Sequence, residues 1–458
     1  MKHSQLQGGL MAVAISAAMS SSALATNGYF THGIGTHSKA MAGAGDAMPT
    51  MAIDVANNPA SGILVDDELN LGLAIFSPRR EYSVTQSQLN GQFGAFSLGA
   101  GTVESDNDYF PIPYVAKNWH LSETRALTLS FYGRGGMNTE YRGGTAMFDP
   151  DGPGPAPVMT LPGTFGAGVT GVNLNQAFLE VTYSFKLNDS LALGIAPIFG
   201  YQMFKADGLT SFAPYTKTFA ESGGAAFPQS LSNNGDDDSF GVGAKVGAIW
   251  NASPSLAFQA AYQTKISMDE FGDYSDLFAK GGNFDVPATA KIGMSFEAAP
   301  GMRFHLDIEK TYYSDVDSVA NPLTNVGMCP TAGQGGMDLE SCAGGSSGFG
   351  FGWDDVTVYQ VGAEWKPDQN GSLTWRAGYN YGEQPISAEN VLVNIVAPAV
   401  VEQHFTFGFS VERDNGHELS FAVMYAPEKS VSGPNLFDPT QQIELSMDQY
   451  ELEFAYSF

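Results

Sequence analysis

The chain has 458 residues, of which only 15% are charged, 12% are aromatic and 54 are glycine, and its net charge is −27. Soluble domains carry about 25% charged residues, and an acidic chain whose one adjacent basic pair is Arg79-Arg80 repels the phosphates of nucleic acid. Hydrophobic residues make up 43% of the whole length, which excludes disorder.

At the N-terminus, Lys2 and His3 precede an apolar stretch from Gly9 to Met19 and then the small residues that end in Ala23-Leu24-Ala25. This is the form of a secretory signal, so residues 1–25 are expected to be a signal peptide cut after Ala25. Beyond it, no run reaches the length of a membrane-spanning helix; Val391 to Val401 is interrupted by Asn394 and Pro398.

Residues 26–66 show no alternation and are dense in Gly and Ala, with the loop-forming run Asn57-Asn58-Pro59-Ala60-Ser61. A segment this short would most simply sit inside whatever the rest of the chain builds. His32 and His37 within it read as hydrogen-bonding groups.

From residue 67 to 458 the pattern is period two in segments of about ten residues. Phe304, Leu306 and Ile308 alternate with Arg303, His305 and Asp307; Phe405, Phe407 and Phe409 alternate with His404, Thr406 and Gly408. In the last segment Tyr450, Leu452, Phe454, Tyr456 and Phe458 share one face, and Glu451 and Glu453 lie on the other. Short links such as 187–190, 300–301, 368–371 and 414–417 alternate with long Gly/Pro/Asp-rich ones at about 142–171, 207–237, 317–353, 386–399 and 433–442. Tight periplasmic turns and long exterior loops make that pattern in outer-membrane proteins. Backbone groups in hydrocarbon must all be paired, which strands achieve only by closing. The expectation is an all-β, 14-stranded antiparallel transmembrane β-barrel in the outer membrane of a Gram-negative bacterium, with the N-terminal segment as a hatch in its lumen. Its surroundings would be the bilayer and lipopolysaccharide, and its C-terminal Phe458 strand would engage the barrel-assembly machinery.

Cys329 and Cys342 lie 13 positions apart in the longest exterior loop. In an exported protein such a pair is expected to form a disulfide. No His or further Cys stands near enough for a metal site, and Asp236-Asp237-Asp238 lacks a full coordination pattern. No metal, cofactor or nucleotide site is indicated. An enzyme is disfavoured: His120-Leu121-Ser122 falls in a predicted periplasmic turn, without a nucleophile and oriented base. A general porin would need no hatch.

Ser38-Lys39-Ala40-Met41-Ala42-Gly43-Ala44-Gly45, followed by Asn58-Pro59-Ala60, resembles the N-terminal hatch of the FadL/TodX family of outer-membrane transporters for long-chain fatty acids and hydrocarbons. Phe131 to Tyr141, Ser239 to Gly243 and Trp375 to Tyr379 continue the resemblance. It implies a usually monomeric barrel that takes up hydrophobic molecules passively and releases them sideways at a kink in the third strand. Gly133, Gly135 and Gly136 would permit that kink, since glycine weakens a ladder and allows a bulge. Candidate ligand contacts are Tyr29 and Phe30 at the hatch end, with Phe204, Lys205, Phe212 and Lys217 on and after the fifth strand. Lys205 falls near a basic family position, but no second cation matches in the loop after Tyr312-Tyr313. The resemblance implies a long-chain fatty acid or similar hydrophobic compound as ligand; the missing second cation favours the alternative, an uncharged alkane or monoaromatic hydrocarbon, which needs none.

Overall fold

The computed structural model describes residues 27–150, 157–368, 371–413 and 416–458. The expected signal segment, together with Thr26 and parts of the turns at 368–371 and 414–417, lies outside them. Fourteen antiparallel strands close into a barrel. They are β1 (Leu69–Val84), β2 (Phe110–Ser122), β3 (Arg125–Asn138), β4 (Gly171–Asn188), β5 (Leu191–Asp207), β6 (Asp237–Ser253) and β7 (Leu256–Gln263). The second half comprises β8 (Thr289–Ala299), β9 (Met302–Thr311), β10 (Val356–Trp365), β11 (Leu373–Gly382), β12 (Gln403–Glu412), β13 (Glu418–Asn435) and β14 (Asp438–Ser457). The seam pairs β14 with β1 from Asn70↔Ser457 to Val84↔Ile443, which removes the free edges.

Alternation sets which way each strand faces. On β14, Leu452 and Phe454 are 44% and 53% exposed, whereas Glu451 and Glu453 are buried. Phe405 and Phe407 on β12 and Leu306 on β9 are likewise exposed, and His404 and Asp307 face inward. An apolar belt running round the outside is the surface that hydrocarbon solvates.

Short turns gather at one end, with the long connections at the other. One predicted loop is corrected: β13 and β14 continue through 433–442 and turn at Leu436–Phe437. Asn435 makes this possible, because its side-chain oxygen accepts from the Phe437 N–H at 3.0 Å and its amide donates to the Phe96 carbonyl at 3.0 Å. A three-stranded sheet of Phe96–Leu98, Thr145–Phe148 and Met159–Pro162 caps the same end. Cys329 and Cys342 are joined there as a disulfide.

Residues 27–66 fill the lumen, built from the short helix α1 (Thr36–Ala40) and two 3-10 turns at Ala52–Ala56 and Pro59–Ile63. Inward-facing barrel residues hold them. Lys39 ion-pairs with Glu451 and Glu453 at 3.0 and 2.7 Å. Asn58 donates to Gln259 at 3.0 Å, and Ser184 donates to the Pro59 carbonyl at 2.6 Å. Lys245 donates to the Ala56 carbonyl and Lys291 to that of Gly43, both at 2.6 Å. The Gly45 N–H reaches Asp307 at 2.9 Å. Gly43 has φ 91°, and a Cβ there would stand 2.1 Å from the His32 carbonyl oxygen, so only glycine fits. Ser38 closes the same turn by accepting from the Gly43 N–H at 2.8 Å, and Ala60 receives the Asn58 cap.

Candidate functional site

The wall is broken in one place among the described strands, at the third. β2 and β3 pair from Tyr114↔Tyr132 down to Ser122↔Arg125 and no further outward. Beyond that point, among the barrel strands, Phe110 to Pro113 pair only with β1, and Gly133 to Asn138 pair only with β4. Two local causes coincide. Pro111 and Pro113 have no N–H to donate, and the β3–β4 register slips between Gly133 and Gly135, which makes Arg134 a bulge residue. Gly133 and Gly135 therefore take part in the break, and Gly136 follows it. Gly133 offers no side chain; a Cβ there would come within 3.2 Å of Ile112.

Residues 29–31 of the hatch seal the inside of the break. Thr31 N–H donates to the Arg134 carbonyl at 2.9 Å, and Gly136 N–H donates to that of Tyr29 at 3.0 Å. The Arg134 side chain turns into the lumen, where it donates to Glu309 at 2.5 Å and Gln263 at 3.1 Å. Tyr29 is fully buried against Tyr313, whose hydroxyl donates to the Asn27 carbonyl at 2.7 Å. Burial pushes both phenols above their ordinary range, so both stay neutral.

Outward of this seal lies a narrow apolar cavity of about 40 Å³. The strands supply Val172 and Phe204, and the segment after β5 supplies Leu209 and Phe212. Distant loops add Leu277 and Phe278, Phe349 and Phe351, and Val393 and Val396. Its one hydroxyl, Ser318, is used up by donating to the Asn283 carbonyl and accepting from the Ala279 N–H. Rings then lead inward from the cavity. Phe204 meets Phe278 at 4.6 Å, Phe278 meets Phe284 at 4.9 Å, Phe284 meets Tyr29 at 6.1 Å, and Tyr29 meets Phe30 at 4.8 Å.

Of the ligand contacts expected from sequence, Phe204 and Phe212 line the cavity, and Tyr29 and Phe30 end the row of rings. The two lysines do not join them. Lys205 follows Phe204 on β5 and so faces the other way, half-exposed and paired with Asp207 at 2.8 Å. Lys217 is bound to Glu340 at 2.6 Å outside the cavity. No cation is among the residues that line it. The loop residues Phe278, Phe349, Phe351, Val393 and Val396 were not anticipated, because loops carry no periodicity that would mark an inward face.

Known proteins share this architecture. The Pseudomonas putida toluene transporter TodX superposes with a TM-score of 0.62 at 15% identity, covering 94% of this chain and 99% of that one. The Ralstonia pickettii toluene transporter TbuX gives 0.57 at 15%, covering 93% and 98%. A Pseudomonas aeruginosa FadL homologue gives 0.59 at 14%, covering 94% and 98%. No curated protein matches the sequence. The model of the outer membrane protein transport protein family (OMPP1/FadL/TodX) matches residues 12–448. With a closed lipid-facing barrel, a filled lumen and an apolar cavity beside a broken wall, the chain belongs to that family of outer-membrane transporters of hydrophobic compounds.

Proposed function

We propose that the protein captures hydrophobic molecules on the exterior side, holds them in the apolar cavity and releases them sideways into the membrane through the gap between β2 and β3. The cavity carries this reading: it is lined by carbon and adjoins a row of aromatic rings that ends at the gap. Each methylene buried there gains about 0.8 kcal/mol over water, so the molecule enters without an energy source. The hatch supports a sideways exit, because ion pairs and hydrogen bonds tie it to the wall beneath the cavity. Selection at this cavity is by shape and hydrophobicity. On the same reading the mature chain starts at Thr26, acts as a monomer without catalysis, and is assembled through its last strand.

A pair of cysteines across the gap tests the route. Ile112→Cys with Gly133→Cys should, when oxidised, leave binding of a radiolabelled hydrophobic probe intact and abolish its uptake by cells. Uptake that survives cross-linking would exclude the gap as the exit, and failure to bind any hydrophobic probe would exclude the cavity.

A further inference from the structure

His32 of the hatch and His404 of β12 lie ring beside ring where the hatch meets the wall. Their centroids are 5.8 Å apart, their planes are 11° from parallel, and the side chains are 1% and 0% exposed. His404 Nδ1–H donates to Asn380 Oδ1 on β11 at 2.5 Å. Neither nitrogen of His32 has a hydrogen-bond partner among the described residues. His37, by contrast, is bonded to Thr50 at 2.7 Å and to Ser420 at 3.0 Å. Of the two hatch histidines, one is thus a hydrogen-bonding group as expected, and the other is set against a second imidazole instead.

The charges around the pair are already engaged. Lys39 on α1 faces His32 as a cation, and it holds both acids of β14, Glu451 and Glu453. Lys291 on β8 is held by Asp46 and by the carbonyl of Gly43, the residue packed against the His32 carbonyl. Gln360 of β10, which reaches the same turn, and Asn380 of β11 are uncharged. Burial and the Lys39 ammonium hold the His32 imidazole down at about 3 from its ordinary 6.5. A hatch that leaves its seat regains the ordinary value, so seating keeps full strength above pH 6.5 and loses it as pH falls towards 3. His37 has the opposite sign, because a proton there strengthens its 2.7 Å contact with Glu418 on β13. His305 on β9 is bonded to Ser295 at 2.7 Å and faces the hatch at Gly45.

We propose that His32 and His404 form an acid-sensitive latch: with both rings neutral the hatch stays seated on β12, and protonation drives residues 29–43 off the wall and opens the lumen. Two imidazolium rings at this spacing repel each other and Lys39, in a site where no water or free acid offsets the charge. The latch acts along the barrel axis and is independent of the sideways gap between β2 and β3.

Ion conductance of the purified full chain in planar bilayers at pH 7.5 and pH 5 tests the latch. The wild-type open-to-closed ratio should rise about 30-fold at pH 5 from the His32 proton alone. His32→Gln with His404→Gln should lack that rise, since an amide takes up no proton. Hydrogen exchange of the wild-type protein, corrected for the intrinsic effect of pH, gives a second readout: amides 29–43 should lose protection over the same interval while the barrel amides keep theirs. Wild-type channels equally closed at both pH values would overturn the latch, as would a rise that survives in the double variant. Opening without loss of protection in 29–43 would assign the acid response to another element.

Discussion

Phe30 of the hatch pairs with Gly135 of β3 as a short antiparallel bridge, while its ring lies 4.5 Å from the Arg134 guanidinium carbon. The hatch thus replaces part of the partner that β3 lost when β2 ended. Phe30→Ala removes a fully buried ring. The amides of residues 133–138 should then exchange hydrogen faster, and those of 126–132, paired on both sides, should keep their protection. Uniform protection in both segments would show that the hatch does not support the break.

Lys245 and Glu180 form a buried pair at 2.6 Å inside the barrel, where each is nearly inaccessible. Removing one partner leaves a buried charge, at a cost of about 3–5 kcal/mol. Lys245→Met should lower the thermal midpoint in micelles sharply. Lys245→Met with Glu180→Leu should recover most of the loss, and a double variant no better than the single would contradict this.

The disulfide joins Cys329 and Cys342 in the loop that also supplies Phe349 to the cavity wall. The Ala343 N–H donates to the Tyr215 carbonyl and the Lys217 N–H to that of Ala343, both at 2.9 Å, so the disulfide loop is stitched to the segment that carries Phe212. Closing a loop of this length restricts the unfolded chain by about 3 kcal/mol. Cys329→Ser with Cys342→Ser should speed exchange in 210–221 and 323–349 and shorten ligand residence, with the barrel amides unchanged. A variant whose loop exchange matches the wild type would refute the role.

The Glu340 carboxyl is held down at about 2 by the Lys217 ammonium and the Ser346 N–H. A carboxyl held below its ordinary 4.5 adds stability that is fully present above pH 4.5 and lost as pH falls towards 2. The contact between 217 and 340 should therefore loosen between those values. Exchange of the Lys217 amide at pH 6 and pH 3 measures this, and Glu340→Gln should abolish the difference.

Strand parity was legible wherever one face is lipid, because Leu452 and Phe454 must point out when Glu451 and Glu453 meet Lys39. The same parity, applied one residue further, separates Lys205 from Phe204: neighbours on a strand cannot both face in. In the hatch, Asn58, Pro59 and Gly43 lie against wall residues Gln259, Ser184 and Lys291, and Gly43 does so at a positive φ that glycine adopts without strain. The cavity was only half legible. Phe349 and Val396 arrive from irregular loops whose course depends on packing.

The seam between Asn70 and Ser457 joins the first and last strands of the barrel, 387 positions apart. Contacts so remote in sequence form slowly, because loop-closure entropy must be met first. Until β14 is in place, β1 presents an unpaired edge and the hatch segment, made earlier, has no lumen to occupy. Closure and the seating of the hatch are therefore late and coupled events, and a chain truncated before β14 should expose a sticky edge rather than form a smaller barrel.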